Sequence, residues 1–260
     1  MFPTALDSAA SAAVITQARE GRTPRPLDFP AGLRPRDAAE AYAVQDAVVR
    51  ARGHIAGWKV GAASPQAQPA RAALTRDSVW VAAAGEPVLL AASGFAVMGV
   101  EAEWVYELRA DLPARATPYS TTEVLATVKS VRAAIEVCDT RFAAWAQQGE
   151  WSRLADQACH GALVVGTGTH DVVNAQPLAQ AVTLSVNGAV AVQHATWGNP
   201  AGDPLRLLVW LANEGARSLG GLRAGHWVTT GSCTGTVLVA PGAEVVVDFP
   251  GLGQAVLHLR

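Results

Sequence analysis

The chain has 260 residues, of which 50% are hydrophobic and 16% charged, so it can bury a sizeable core within one domain. Its formal net charge of -2, with scattered basic residues, argues against nucleic-acid binding. Apolar runs are too short for a membrane-spanning helix and the first residues lack the basic segment of a secretory signal, so we expect a soluble, cytoplasmic protein.

The chain begins with a predicted helical segment over residues 1–54. It consists of two helices joined by a loop, and the second helix has Asp37 as its N-cap and Gly53 as its stop. From Ile55 the sequence changes to short Val, Leu, Ala and Trp runs separated by Gly, Pro and Asn, which is typical of strands. We expect one domain over residues 1–260, with the β-rich catalytic core at 55–260.

The run GVEAEWVYEL is predicted to be a strand that carries two acids on one face. Side chains alternate across a strand, so Glu101 and Glu103 point the same way, about 7 Å apart at Cα. Like charges on one face repel, so the pair needs either bulk water or a shared cation. Periodicity alone favours the first alternative, in which both acids and Glu107 line the solvated face of an amphipathic strand.

Glu136 favours the second alternative, a shared cation. It is the only charged residue in the apolar run 133–138, and a lone buried carboxylate must be protonated, paired or bound to a metal. Three carboxylates with open coordination positions suit Mg²⁺ or Mn²⁺, which prefer oxygen ligands. The sequence therefore predicts that the carboxyl groups of Glu101, Glu103 and Glu136 converge on one cation.

Two further helices are predicted, over residues 122–132 and 205–220. The pair Asn187 and Gly188, between alternating strands, predicts a hairpin. These elements together favour the α+β class, with a mixed or antiparallel β-roll and peripheral helices.

The three cysteines do not form a recognisable metal or disulfide motif. Cys138, Cys159 and Cys233 are odd in number and far apart, which favours small buried hydrophobes over zinc ligands or a disulfide framework. A nucleophilic Cys159 next to His160 is the less favoured alternative, because adjacent residues rarely face each other.

Several long motifs occur in order along nearly the whole chain: AYAVQ, GWKVG, VEAEWVYEL, AIEVCDTRF, LADQACHGALVVG and GLRAGHWVTTGSCTG. Together they resemble the 2-keto-4-pentenoate hydratase and 4-oxalocrotonate decarboxylase family, within the fumarylacetoacetate hydrolase superfamily. The resemblance implies that Glu101, Glu103 and Glu136 bind the metal and that Lys59 belongs to the catalytic site. It also implies the β-roll fold and homo-oligomeric assembly, with a related subunit as a further potential partner.

Several positions depart from the family pattern. The family commonly reads ADNAS where this chain reads ADQAC, so Gln157 stands in place of Asn and its longer amide is expected to alter contacts with the distal end of a substrate. His160 follows where a small residue is common, and His226 replaces an acid in a turn. The segment around Asp77 matches poorly, and Asp77 is the available candidate for a second catalytic acid there.

The resemblance implies chemistry on a 2-oxo acid, whose carboxylate and keto oxygens can chelate a cation that stabilises an enolate. The favoured activity is hydration of a 2-hydroxy-2,4-dienoate in aromatic catabolism. A 4-oxalocrotonate-type decarboxylase and a C–C bond hydrolase are alternatives on the same scaffold. A non-catalytic partner subunit is the alternative of a different class.

Lys59 is expected to handle a proton, with its pKa lowered by a dry pocket; a lysine at the surface is the alternative. Asp156 is assigned to the catalytic site, where it supports a functional group or simply caps a helix. Gln157, Ser232 and Thr234 are assigned to substrate binding. The last two lie in the Gly-rich run TGSCTG, which is also typical of a structural turn.

Overall fold

The computed structural model describes residues 5–83, 86–145 and 147–260. The α-helices in these ranges are α1 (Ser8–Arg19), α2 (Ala38–Arg52), α3 (Thr121–Ala126), α4 (Glu150–Ala155) and α5 (Pro204–Trp210). Short 3₁₀ turns cover Ala31–Leu33, Arg76–Ser78, Ala92–Gly94, Pro177–Ala179 and Arg217–Leu219. None of the described helices is long and apolar enough to cross a membrane.

The strands account for most of the rest of the regular structure. In chain order they are β1 (Ile55–Gly61), β2 (Ala70–Thr75), β3 (Val79–Val81), β4 (Val88–Leu90), β5 (Gly99–Leu108), β6 (Leu112–Pro113), β7 (Val128–Cys138), β8 (His160–Thr169), β9 (Val182–Val186), β10 (Ala189–His194), β11 (Gly221–Leu222), β12 (Trp227–Ser232), β13 (Val237–Leu238), β14 (Glu244–Phe249) and β15 (Gly253–Leu259).

The strands form a main sheet, a second sheet and a small two-stranded pair. The main sheet has the order β2-β1-β12-β5-β7-β8-β3, with β13 also on β5, and the second has the order β10-β9-β14-β15-β4. β6 pairs with β11. With helices at the periphery, this mixed arrangement confirms the predicted α+β β-roll; the single-domain assignment stays a prediction.

The core lies between the two sheets and defines an inner and an outer face of the main sheet. The inner side chains of β5, among them Ala102 and Trp104, pack in one cluster with residues of the second sheet. The Trp104 ring meets the Phe249 ring edge-on at 6.3 Å. Because side chains alternate, Glu101 and Glu103 lie on the outer face.

The two N-terminal helices are confirmed. Asp37 caps α2 by accepting a hydrogen bond from the Glu40 amide at 2.9 Å, and Gly53 ends it with a φ of 102°. Residues 1–4 of the predicted segment lie outside the described residues. A separate apolar cluster, which includes Ile15, Val44 and Phe142, joins α1 and α2 to the region after β7.

The predicted helix over residues 122–132 is wrong in its second half. α3 begins with a capping box between Ser120 and Glu123 and ends at Ala126. β7 then begins at Val128. The strand is favoured because this segment pairs with β5 on one side and β8 on the other, and buries its apolar side chains there. Pairing with the two neighbouring strands therefore outweighs the local preference for a helix.

The predicted helix over residues 205–220 is broken. α5 ends at Trp210 and continues as a π-turn, Leu211–Gly215. A Cβ at Gly215 would lie 2.7 Å from the Trp210 ring, so a larger residue there would require the ring to shift. The Asn187–Gly188 hairpin is confirmed, with positive φ angles of 51° and 77° between β9 and β10.

Candidate metal and catalytic site

Two of the three predicted acids, Glu101 and Glu136, meet on the outer face of the main sheet. β5 and β7 are antiparallel, and their register places Glu101 directly opposite Glu136. Glu136 is 0% exposed and Glu103 is 1% exposed. The solvated-strand alternative is therefore wrong for Glu103, and also for Glu107, which is buried and accepts hydrogen bonds from Lys129 and Ser130.

A compact group of potential metal-binding atoms forms around this register pair. A carboxylate oxygen of Glu101, one of Glu136 and the Sγ of Cys138 all lie within 4.8 Å of one another. Cys138 shares the face because it lies two residues after Glu136 on β7. It is buried, as predicted for a small hydrophobe, and burial together with the Glu136 charge raises the pKa of its thiol well above the usual value.

Glu103 lies on the same face of β5 but outside this group of ligand atoms. Its Oε2 accepts hydrogen bonds from the Thr229 hydroxyl and, at 2.9 Å, from the Gly231 amide. Burial, followed by the charge of Glu136, raises the pKa of Glu103 well above its usual value. The fold therefore disfavours the ionised form of Glu103.

Glu101 is the most accessible of the three acids, and its Oε1 accepts a hydrogen bond from the Thr236 hydroxyl. Burial and then the charge of Glu136 raise its pKa. Neither Thr229 nor Thr236 was singled out in the sequence, although both lie in the last motif or next to it.

Lys59 projects from β1 into the same cluster. Its Nζ lies 2.7 Å from Glu136 Oε1 and donates a second hydrogen bond, of 3.1 Å, to the Ala158 carbonyl. Burial alone would lower the Lys59 pKa, but the charge of Glu136 outweighs it and the pKa is raised. The predicted lowering of this pKa is wrong because the ion pair exceeds the desolvation penalty.

Glu136 Oε1 has a second partner that the sequence did not reveal. His160 Nδ1 lies 2.9 Å from it, and His160 Nε2 lies 3.0 Å from the Ser78 hydroxyl. Burial raises the Glu136 pKa, but the Lys59 charge and the His160 hydrogen bond outweigh it and lower it to about 2. Burial lowers the pKa of His160 to about 4, so the imidazole is neutral at pH 7.

The turn before His160 is strained. Gln157, Ala158 and Cys159 have φ angles of 50°, 48° and 63°, a left-handed conformation that is costly for three consecutive non-glycine residues. This turn delivers the Ala158 carbonyl to Lys59. Burial and the charge of Asp156 raise the Cys159 pKa to about 11, which argues against the alternative of a nucleophilic thiolate.

Asp156 holds the base of this turn. It is fully buried and forms an ion pair with Arg141 Nε, and its Oδ2 accepts 3.0 Å hydrogen bonds from the Thr140 hydroxyl and the Arg141 amide. Arg141 also donates to the carbonyls of Asp156 and His160. Both oxygens of Asp156 are therefore committed to fixing the backbone, which supports a positioning role instead of the predicted catalytic one.

Residues 44–260 match the family model described as fumarylacetoacetate (FAA) hydrolase C-terminal. The chain belongs to the fumarylacetoacetate hydrolase family. It is 30% identical to 4-oxalocrotonate decarboxylase of Pseudomonas putida over 132 residues, which are 51% of this chain and 49% of that enzyme. The match thus spans about half the length of this curated relative.

Solved structures of the family extend the likeness to the whole fold. The 4-oxalocrotonate decarboxylase from Pseudomonas putida G7, complexed with magnesium and adipate, has a TM-score of 0.81 and 25% identity, over 97% of each chain. A fumarylpyruvate hydrolase from Pseudomonas aeruginosa, in complex with Mn²⁺ and pyruvate, has a TM-score of 0.58 and 18% identity, covering 78% of this chain and 88% of that one. At this lower identity the likeness concerns the fold alone.

Two of the predicted substrate-binding residues are engaged with the backbone in this member of the fumarylacetoacetate hydrolase family. Gln157 Nε2 donates to the Gln45 carbonyl of α2 at 3.3 Å, while its Oε1 is buried without a hydrogen-bond partner among the described residues. Thr234 Oγ1 accepts a hydrogen bond from the Ala102 amide at 3.0 Å and donates one to the Gly235 carbonyl. These contacts agree with the alternative role of Thr234 as part of a structural turn. Ser232 is the register partner of Glu103, and its role in substrate binding stays a prediction.

The remaining polar candidates also have structural partners. Asp77 accepts hydrogen bonds from Arg52 and, at 2.6 Å, from Thr75. His226 Nδ1 accepts from Trp58 Nε1 at 3.3 Å and from the Arg223 amide at 3.1 Å. Both positions therefore act in local structure, Asp77 at the end of β2 and His226 at the start of β12.

Proposed function

We propose that the chain is a divalent-metal-dependent lyase that acts on a small 2-oxo acid, with Glu101, Glu103 and Glu136 as ligands of Mg²⁺ or Mn²⁺. One observation carries the proposal. Glu136 Oε2 is buried and has no hydrogen-bond partner among the described residues, whereas Oε1 has two. A buried carboxylate oxygen without a donor is costly, and a cation bound there would satisfy it.

The donor set fits a hard divalent cation. The candidate ligands are carboxylate oxygens. Burial and then the Glu136 charge raise the pKa values of Glu101 and Glu103, and a cation beside them would favour their ionised forms. Mg²⁺ and Mn²⁺ favour such ligands and keep positions open for water or substrate. The structures of the two relatives with Mg²⁺ and with Mn²⁺ support the same choice.

When bound, the cation would supply positive charge at the ketone oxygen, where an enolate develops. Lys59 is the side chain that can donate a hydrogen bond to the substrate. Two of its three N–H groups bond Glu136 and Ala158, which leaves one N–H without a partner among the described residues. In the metal-free protein the Glu136 charge raises the pKa of Lys59, which favours a role as a donor to a substrate oxygen.

Within this class we favour decarboxylation of a 4-oxalocrotonate-type acid. A C–C bond breaks, CO₂ leaves, and the bonding electron pair passes through the conjugated double bond to the ketone oxygen, where Lys59 can donate a hydrogen bond or a proton. This step needs no separate base. The nearby candidates are engaged, His160 between Glu136 and Ser78, and Asp156 with Arg141. The full-length likeness to the decarboxylase structure supports the same choice.

Hydration of a 2-hydroxy-2,4-dienoate, as in aromatic catabolism, is the second candidate. Ketonisation of such a dienol passes through the same enolate, so the same three carboxylates and Lys59 would serve it. Addition of water needs one further group to activate the water, and none of the described residues is assigned to that task.

Homo-oligomeric assembly also stays a prediction, which size-exclusion chromatography with light scattering would test.

The two activities differ in their products. Purified protein incubated with 4-oxalocrotonate or with 2-hydroxypenta-2,4-dienoate, with and without Mg²⁺ or Mn²⁺, can be followed by CO₂ release and by mass spectrometry of the product acid. Metal-dependent CO₂ release supports the decarboxylase. A product heavier by one water, without CO₂, supports the hydratase. No turnover of either acid by the metal-loaded protein would contradict both and favour a non-catalytic subunit.

A further inference from the structure

His160 stands at a position from which it can control how Glu136 presents its carboxylate. It is the first residue of β8 and the register partner of Cys138, two positions from Glu136 on β7. Its side chain is 2% exposed. Its carbonyl is held by Arg141 and, at 3.2 Å, by Arg19, so the main chain at this point is fixed independently of the imidazole.

The imidazole connects two groups. Glu136 Oε1 accepts at 2.9 Å, so Nδ1 carries the proton. His160 Nε2 lies 3.0 Å from the Ser78 hydroxyl oxygen. Ser78 Oγ donates to the Thr75 carbonyl at 2.9 Å, which holds the serine at the base of the ring. These contacts fix the orientation of the ring.

The two oxygens of Glu136 are thereby made unequal. Oε1 is occupied by Lys59 at 2.7 Å and His160 at 2.9 Å, while Oε2 is buried and unpartnered among the described residues. The terminal torsion of a Glu side chain is soft, so one anchoring donor alone would leave the carboxylate free to turn. Two donors on the same oxygen fix the plane of the carboxylate group.

We propose that His160 is a positioning residue that, together with Lys59, reserves Oε1 of Glu136 so that Oε2 alone faces the cation. The inference rests on the proposed metal site. Groups that orient a metal ligand in this way commonly affect metal affinity by roughly 10- to 100-fold.

The test compares three substitutions by titration of the protein with Mn²⁺, followed by the EPR signal of the unbound ion. In His160→Asn the side-chain amide can occupy the place of Nδ1 and keep the bond to Glu136. In His160→Gln the amide reaches the place of Nε2 and Ser78 instead. His160→Ala removes both contacts.

We expect Mn²⁺ affinity to fall roughly 10- to 100-fold in the Ala and Gln variants and to be largely retained in the Asn variant. If His160 only fills space, Gln, which is closer to His in volume, will bind Mn²⁺ at least as well as Asn. Asn and Gln variants that match the wild type, or that lose affinity equally, would overturn the inference. If the Ala variant does not fold, the difference in Mn²⁺ affinity between the Asn and Gln variants still tests the inference.

The controls separate this inference from the proposed function. Thermal melting of each metal-free variant shows whether an altered affinity reflects folding. If the wild-type protein itself binds no Mn²⁺, the metal site is wrong and the proposed function fails with it. If the wild type binds Mn²⁺ and the three variants bind equally well, only the role of His160 is wrong.

Discussion

Lys59 and Glu136 form a buried ion pair of 2.7 Å, although they lie on strands that are not neighbours. β12 and β5 separate β1 from β7 in the sheet, so the long lysine side chain crosses the outer face to reach the carboxylate. This contact places an amine beside the acids of the site. It is the relationship on which the proposed chemistry depends.

Replacing Lys59 with methionine should lower kcat by roughly 10²- to 10⁴-fold, the usual range for loss of a group that handles a proton. Affinity for Mn²⁺ should change less than kcat, because Lys59 is not a ligand. Its removal lets the Glu136 carboxylate turn, which weakens binding, but leaves Glu136 more negative, which strengthens it. Steady-state kinetics and Mn²⁺ titration on the same variant separate the two effects. Lys129→Met, which removes a half-exposed ion pair with Glu107, is the matched control. Normal turnover in Lys59→Met would exclude Lys59 from the chemistry.

Glu103→Gln should stabilise the metal-free protein, because the acid is buried next to Glu136 and its raised pKa shows that its charge is unfavourable in the fold. The amide oxygen can still accept from Thr229 and Gly231. We expect a gain of at least ~1 kcal/mol, or about 2–4 °C in Tm, together with a smaller rise in Tm on adding Mg²⁺. A lower Tm without metal and an unchanged response to Mg²⁺ would contradict the assignment of Glu103 as a ligand.

The sequence predicts the acids of the site better than their partners. Alternation in EAEW fixes a common face for Glu101 and Glu103, and the apolar run around Glu136 predicts its burial. The register that places Glu136 opposite Glu101 is a long-range property of the sheet and cannot be read from either strand alone. The same long-range pairing turned the predicted helix after Thr127 into β7.

Partners supplied by distant segments were the hardest to foresee. Ser78 and Glu136 meet at His160 although they are far apart in the sequence. The motif that contains Asp156 predicts a catalytic role, yet its carboxylate forms an ion pair with Arg141, a contact that the motif alone does not reveal. The strained turn from Gln157 was likewise hidden, because none of its residues is the glycine that usually marks a positive φ.

Asp156→Asn should destabilise the protein by about 3–5 kcal/mol, because it leaves Arg141 buried with its charge unpaired. Chemical denaturation measures this directly. Asp111→Asn is the control, since its ion pair with Arg223 is about half exposed and should contribute little to stability. Full stability of Asp156→Asn combined with loss of turnover would restore the catalytic role and contradict the positioning role.

His226 should make the protein less stable in mild acid. Burial lowers its pKa from 6.5 to about 4, so between these values the unfolded chain binds a proton that the folded protein does not. Stability from this group is therefore present above pH 6.5 and is lost as the pH falls toward 4, when protonation of Nδ1 would break the bonds from Trp58 and Arg223.

A variant isolates this contribution. In His226→Asn, the amide oxygen can accept in place of Nδ1 but does not titrate. We expect its stability to fall by about 1–3 kcal/mol less than that of the wild type between pH 7 and pH 4. His258→Asn, at the surface beside Glu244, controls for the loss of any histidine. Parallel pH profiles for His226→Asn and the wild type would rule out this histidine as the cause.

The central claim is that Glu101, Glu103 and Glu136 hold a divalent cation on which turnover of a 2-oxo acid depends. The most direct measurement is CO₂ release from 4-oxalocrotonate by chelator-treated protein as Mn²⁺ is added back, in the wild type and in Glu136→Gln. The account predicts no turnover without metal, recovery that saturates at one Mn²⁺ per chain, and no recovery in the variant at the same metal concentration. Full turnover by the metal-free wild type, or equal recovery in Glu136→Gln, would contradict it.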